Sequence, residues 1–523
     1  MRYRVVGPPG TGKTQFLLDR VNDYLAKGIP PDRIAFCSFT TNAANEAKNR
    51  AIAKFPYPAS SFRYFRTEHS ICFRLLAEKI GLSRHNIFTG KRKKEFADTF
   101  HYDLTIDENE LSSRFNEAML STISDYYEFF VAWRSNMMLP FDEAYRLFAR
   151  TNLLPNNWSE DGLRSYIANR TKFKAEKSLW DFNDLIYACL KENLYPDVDV
   201  ILVDEAQDCG KLLFNYIENW SERAKDTFIS GDYLQTLYSW AGASPELFLS
   251  FPIDEEIVLR QSYRLPAAIK DYAVELVKRL GLPIPDFKPK DEEGSVEFGD
   301  LNFDSYTSFL LCRTRFQVSK FYDLLIDYGI PFYSERVKQN PIFTTKGKAF
   351  LAIKKVKDGD TINLAEIEAI CRHTGKPFLE TGTKTRVKQY LDGDYSRFHL
   401  RGLGFTEEFF SHDVDDIMFR EIDNTEKVYL TRVYNKYGRG GFEKSLITLT
   451  TQHGAKGSER ELVVISPDLT RRIFENFVFG DERDETLLAY TSVTRAMKKV
   501  IILPSTQYSF PYPHLRRRNE SFN

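Results

Sequence analysis

Eight residues near the start of the chain, Gly7-Pro8-Pro9-Gly10-Thr11-Gly12-Lys13-Thr14, have the types and spacing of a phosphate-binding loop. Glycines let the backbone curl until successive N–H groups face one anion, and the positive end of a following helix adds to the attraction. Lys13 would reach the β- and γ-phosphates of a nucleoside triphosphate, and the Thr14 hydroxyl would hold Mg²⁺. A second cluster, Asp204-Glu205-Ala206-Gln207-Asp208, follows the apolar run Val200-Ile201-Leu202-Val203. Carboxylates at the C-terminal end of a parallel strand stand where ligands bind in open α/β sheets. Asp204 is placed to hold the Mg²⁺ through a water, and Glu205 to orient or deprotonate an attacking water. Triphosphate binding and hydrolysis follow from the two clusters together.

Such residues need strands that end beneath them and helices that begin after them. The segment Arg2–Val6 runs into the loop, and Phe16, Leu17, Val21 and Leu25 follow it at helical spacing. Short apolar runs read as buried parallel strands at Ile34–Phe39, Val198–Val203, Thr227–Ser230, Phe309–Cys312, Leu446–Leu449, Leu462–Ile465 and Val500–Leu503. Helical patterns separate them, which predicts an α/β fold. Residues 85–181 are rich in Phe, Tyr, Asn and Arg at helical spacings, and residues 351–442 are polar and interrupted by glycine. Both read as insertions, the second reduced. The expected division is a first framework of 1–84 and 182–268 with its insertion 85–181. A second framework of 269–350 and 443–508 follows, with its insertion 351–442 and a tail 509–523. No internal repeat is evident.

The balance of 42% hydrophobic and 28% charged residues over 523 positions is that of an ordinary globular protein of several domains. No apolar run is long enough to cross a bilayer, and the loop begins too early to leave room for a targeting peptide. Six scattered cysteines, Cys37, Cys72, Cys189, Cys209, Cys312 and Cys371, include no CxxC pair and read as free thiols in a reducing cytoplasm. A net charge of −1 gives no global field for a polyanion, so nucleic acid must be held by a local groove. The runs Lys91-Arg92-Lys93-Lys94 and Arg516-Arg517-Arg518 read as solvated charged faces, with a contribution to that groove as the alternative.

A third cluster, Ser230-Gly231-Asp232-Tyr233-Leu234-Gln235-Thr236-Leu237-Tyr238-Ser239-Trp240-Ala241-Gly242-Ala243, again follows a strand. With it the chain resembles the superfamily 1 helicases of the UvrD/Rep/PcrA type. The resemblance rests on a series in that family's order. Thr40 to Ala47 is similar to its second motif, Thr67-Glu68-His69-Ser70 to its Thr-x-His-Ser element, and Asp204 to Asp208 to its DEAQD box. Gly231 to Ala243 resembles GDxxQxIYxWxGA, and Gln261-Ser262-Tyr263-Arg264 an arginine-bearing fourth motif. Thr451 to Glu459 resembles TxHxxKGxE, and Tyr490 to Ala496 resembles YxxxTRA. Phe309 to Pro331 is similar to the opening of the family's second motor domain.

The resemblance implies two RecA-like parallel-sheet motor domains, each with an inserted, mainly helical or mixed accessory domain. It implies ATP and Mg²⁺ as cofactors, with single-stranded DNA and its junctions with duplex as partners, alongside accessory replication or repair proteins. It makes Arg264 and Arg495 arginine fingers, Gln235 a γ-phosphate sensor, Tyr263 an adenine-stacking ring and Glu459 a ribose contact; Gln15 and Gly457 join the nucleotide set. Thr40, Asn42, Thr67, His69, Tyr238, Trp240, Thr451 and His453 would line the strand. Glu68 stands where the family often carries a stacking aromatic, and a carboxylate there would repel phosphate.

Family members move 3′ to 5′, so the implied activity is an ATP-driven translocase that unwinds duplex. Translocation or protein displacement without efficient unwinding is an alternative, and a non-motor nucleotide switch is a third. Only six residues precede Gly7, leaving no place upstream for the family's adenine-reading glutamine. The expectation is relaxed nucleotide preference, to be checked by comparing kcat/KM for ATP and GTP; strong selectivity for ATP would show another group reading the base.

Overall fold

The computed structural model describes residues 1–523 except 39–40, 106–121, 152–153, 240–241, 304–306, 335–338, 391–392, 444, 446, 507–509, 513–514 and 516–523. The chain divides into two compact units. One is built mainly from Met1–Val296 and Leu469–Lys498, the other from Glu297–Asp468 and Lys499–Pro511.

The first unit is organised by six strands: β1 (Arg2–Val6), β2 (Ile34–Ser38), β3 (Tyr64–Arg66), β4 (Val200–Asp204), β5 (Asp226–Gly231) and β6 (Glu255–Val258). Their order is β3-β2-β4-β5-β1-β6, and every pairing is parallel. β2 and β4 are buried along their whole length, which is why they read as unbroken apolar runs rather than alternating ones. Val5, Leu17, Val21, Phe36 and Leu202 form the core on one side of the sheet. Register matters most for function. Val6 pairs with Gly231 and Val203 with Ile229, so the chain leaves β1, β5 and β4 at one edge on adjacent strands. The sequence did not announce β3, which has three residues, or β6, whose first two residues are exposed glutamates.

Residues 85–181 form the helices Lys91–Phe100, Ile123–Met137, Phe141–Thr151 and Glu160–Glu176. The insertion is closed at its base where Phe88 N–H donates to Trp180 O (2.9 Å) and Trp180 N–H to Asn86 O (2.7 Å). Its interior is aromatic, with Phe88, Phe96, Phe130, Phe148, Tyr166 and Phe173 in one cluster. One buried charge group crosses it. Arg170 donates through Nε and Nη2 to the two oxygens of Glu128 (2.8 and 3.2 Å), and Tyr166 Oη donates to the same carboxylate (2.9 Å). Burial alone would raise the Glu128 carboxyl, but Arg170 and Lys93 hold it down to about 2. The basic run at 91–94 is therefore not one solvated face. Lys93 is buried and pairs with Glu128 at 3.4 Å, because it shares the inward side of its helix with Phe96 and Ala97.

A second sheet contains β7 (Ser295–Phe298), β8 (Ser308–Cys312), β9 (Tyr333–Ser334), β12 (Ile447–Thr451), β13 (Arg460–Ile465) and β15 (Ala496–Ile502), in the order β7-β15-β13-β8-β12-β9. β12 runs parallel to β8 and β9, and β13 parallel to β8. The intervening numbers belong to an antiparallel pair, β10 (Ile362–Asn363) with β11 (Asp394–Tyr395), and to the short β14 (Asp468–Leu469). Apart from β10 and β11, the regular elements described in 351–442 are helices joined by turns, the longest lying wholly within it being Asn424–Tyr437. The α/β class with two parallel-strand sheets is thus the fold observed.

Candidate functional site

The loop between β1 and the helix Lys13–Ala26 is held by its neighbours. Gly7 N–H donates to Gly231 O (3.0 Å), Ser262 Oγ to Pro9 O (2.8 Å), and Tyr263 N–H to Gly10 O (2.9 Å). Gly10 needs to be glycine twice over. Its φ is +74°, and a Cβ there would sit 2.3 Å from Arg264 Cβ. Lys13 Nζ folds back to Gly7 O (2.9 Å), which keeps the ammonium inside the curl of the loop.

The carboxylates arrive from β4. Thr14 Oγ1 donates to Asp204 Oδ2 at 2.7 Å, so the hydroxyl and carboxylate assigned to Mg²⁺ are in contact. A hydroxyl and a carboxylate beside a phosphate seat fit Mg²⁺, a hard cation that takes one or two carboxylates plus phosphate oxygens. Burial, and then the charge of Glu205, push Asp204 up to about 6. Glu205 adopts a left-handed conformation (φ +55°), uncommon outside glycine and often found at functional sites.

From Glu205 a line of hydrogen bonds leads away from the loop. Gln207 Nε2 donates to Glu205 Oε2 (2.6 Å), while its Oε1 accepts from Asp232 N–H (3.2 Å). Asp232 Oδ2 accepts from Gln235 Nε2 (2.9 Å), and Gln235 Oε1 accepts from Arg495 Nη2. Arg495 Nε donates to Thr491 O (3.1 Å), and Arg264 Nη1 to Thr494 O (3.3 Å). The loop, Asp204, Glu205, Gln235, Arg264 and Arg495 therefore all lie in the first unit. Burial pushes Asp232 up to about 6. Sequence reasoning gave no role to Gln207, Asp232 or Ser262. All three sit inside the quoted motifs, and that membership was the available signal.

Tyr263 is 75% exposed, beside the loop, as a stacking ring would be. Gln15 is exposed and engaged locally, donating to Asp19 Oδ1 (2.9 Å) and accepting from Arg50 (3.3 Å). Gly457 and Glu459 are exposed in the second unit, which also carries Thr451 and His453. Thr451 Oγ1 accepts from Gly454 N–H (3.1 Å), shaping the turn that follows β12. Thr67 caps the helix Glu68–Ile80, its hydroxyl accepting from Ser70 N–H (3.4 Å). His69 is half-buried against Phe182, and desolvation holds its imidazole down to about 4, hence neutral at pH 7. Tyr238, expected on the strand's path, is buried with Leu237, Ala243 and Leu488. Thr40, Trp240 and the side chain of Asn42 lie outside the described residues.

Glu68 stands where the resemblance puts a stacking aromatic. It is 1% exposed, with Oε1 buried and lacking a hydrogen-bond partner. Its field is felt by the buried Cys37, Cys72 and Cys209. Burial pushes its carboxyl up to about 7, opposed by its own backbone N–H. A folded-state value raised from 4.5 means that stability falls as pH rises through the interval to about 7 and stays lower above it. Glu68→Gln removes that slope. It is expected to stabilise the protein at pH 8 by about 1–3 kcal/mol relative to wild type, and by much less at pH 5. Thermal melting at both pH values checks this; equal differences at the two would contradict it.

Residues 2–255 match the family model of the UvrD/REP helicase N-terminal domain. The match covers just under half of the chain. The match includes the loop, Asp204, Glu205 and Gln235, and it ends before Tyr263 and Arg264. Curated relatives are of the same type. A probable DNA helicase II homolog of Mycoplasma capricolum subsp. capricolum is 28% identical over 295 residues, 53% of this chain and 38% of that protein. The ATP-dependent DNA helicase PcrA of Leuconostoc citreum is 25% identical over 301 residues, 54% of this chain and 38% of its own length. That of Staphylococcus aureus is 26% identical over 304 residues, 52% and 37% respectively. The matched part of the chain thus spans well under half of each relative. The UvrD/Rep/PcrA type inferred from the motifs agrees with these matches.

Proposed function

We infer that the chain is a DNA-dependent ATPase, an ATP-driven translocase on single-stranded DNA that unwinds duplex and moves 3′ to 5′. The observation that carries the reading is the hydrogen-bonded line from Thr14 and Asp204 through Glu205, Gln207, Asp232 and Gln235 to Arg495. It joins a phosphate seat, a water-activating carboxylate and an arginine, which is the set that phosphoryl transfer to water requires. The domain match and the names of the relatives support DNA as the track.

ATP would sit with its phosphates in the loop and its base on Tyr263, and Thr14 and Asp204 would hold Mg²⁺, which neutralises charge on the β- and γ-phosphates when bound. Glu205 would take the proton of the attacking water. Arg264 and Arg495 would stabilise charge developing on the γ-phosphate, and Gln235 would report its presence. The two RecA-like units would couple hydrolysis to movement along the strand. Six buried free cysteines suit a reducing cytoplasm, and among the described residues no helix is long and apolar enough to cross a membrane.

The test is ATP hydrolysis with and without single-stranded DNA, for wild type and Lys13→Ala. Stimulation lost in Lys13→Ala supports the reading; a wild-type rate indifferent to DNA would sink it. A fluorescent forked duplex then separates unwinding from translocation alone.

A further inference from the structure

β8 ends at Cys312 and β12 at Thr451, and these residues are register partners. Gln452 N–H donates to Cys312 O (2.8 Å), so the chain leaves both strands side by side at the C-terminal edge of the second sheet. Ligands of parallel sheets bind at that edge. One exit carries Gln452 and His453; the other carries Arg313-Thr314-Arg315-Phe316.

The second exit is rigid. Thr314 N–H donates to Gln317 Oε1 (2.9 Å), Thr314 Oγ1 accepts from Gln317 N–H (3.3 Å), and Gln317 Nε2 reaches Asp468 O (2.5 Å). This capping box fixes the first turn of the helix Arg315–Asp327. Phe316 lies in that turn and is 65% exposed. A single exposed phenylalanine is ordinary on a protein surface, so exposure alone carries nothing. What distinguishes this ring is its fixed position at the ligand edge together with its charge environment. Lys320 Nζ lies 4.7 Å from the ring centroid, one helical turn on, and Arg315 adjoins it. A cation over one face leaves the opposite face for a π-partner. An aromatic platform beside cations is the combination that grips single strands, by stacking a base and pairing its phosphates.

We propose that Phe316, with Arg315 and Lys320, is a base-stacking platform for single-stranded DNA on the second unit. The proposal rests on the single-strand reading above and adds to it a contact that none of the expected track residues supplies.

Binding of fluorescein-labelled oligothymidylate, followed by anisotropy at one fixed salt concentration, tests it. Phe316→Ala is expected to weaken binding by about 5- to 150-fold, and Phe316→Trp to restore wild-type affinity. On a strand of equal length built from abasic deoxyribose phosphates, wild type and Phe316→Ala are expected to bind alike. The ring is exposed, so both variants should melt like wild type. Wild-type affinity of Phe316→Ala for oligothymidylate, or an equal loss on the abasic strand, overturns the platform and leaves the single-strand reading standing. If wild type binds neither strand, both fall.

Discussion

Glu205→Gln is expected to lower kcat for ATP hydrolysis by about 10²- to 10⁴-fold, the usual worth of a positioned general base, with little change in affinity for ATP. The substitution keeps the side chain's shape and removes only its ability to take a proton. Position is secured independently of charge. The residue is held in a left-handed turn at the end of β4, and its Oε2 is clamped by Gln207 Nε2 at 2.6 Å. The remaining oxygen of a glutamine can still meet that donor, so geometry should survive. Single-turnover hydrolysis read beside the binding of a fluorescent ATP analogue separates chemistry from affinity. A loss under about tenfold would assign water activation to another group.

Much of this arrangement was legible in the sequence. The strand that carries the acidic cluster, β4, is buried along its whole length and so appears as a continuous apolar run followed at once by a polar motif. β1, which carries the loop, begins with the half-buried Arg2-Tyr3-Arg4 and is legible mainly from the glycines that follow it. Strand order was not legible. The sequence β3-β2-β4-β5-β1-β6 depends on pairings between segments some two hundred positions apart, such as Val6 with Gly231. Helix phase explains the misreading of Lys93 and the burial of Glu68. Glu68 lies three and four positions before Ile71 and Cys72 on the inward side of its helix, and Lys93 stands in the same relation to Phe96 and Ala97. Reading the basic run by its charge sent Lys93 to the surface. Reading both residues by the apolar neighbours at i+3 and i+4 sends both inward and calls for a partner. Lys93 has one in Glu128, whereas Glu68 instead shifts toward its neutral form. The line through Gln207 and Asp232 needed the structure, because the bonds that make it join motifs distant in the chain.

Arg495→Ala is expected to have the larger catalytic effect, a fall in kcat of about 10³- to 10⁵-fold, as for arginines that stabilise the charge of phosphoryl transfer. Arg495→Lys should restore little of it, since an ammonium cannot reproduce a planar fork that binds two partners at once. The fork here is in use: Nη2 donates to Gln235 Oε1 and Nε to Thr491 O at 3.1 Å, in a side chain only 4% exposed. Two explanations of a loss must be separated. The arginine could act on the γ-phosphate, or it could merely hold Gln235, whose other end is fixed by Asp232 at 2.9 Å. A double-mutant cycle decides between them. If Arg495 only positions Gln235, Gln235→Ala should be as slow as Arg495→Ala, and the double variant no slower than either. If Arg495 acts on the phosphate, Gln235→Ala should retain a much larger share of activity, and adding Arg495→Ala should bring a further fall. Melting curves for each variant set the assay temperature below every transition, because removing a buried guanidinium strands the Gln235 oxygen it served and lowers stability in its own right.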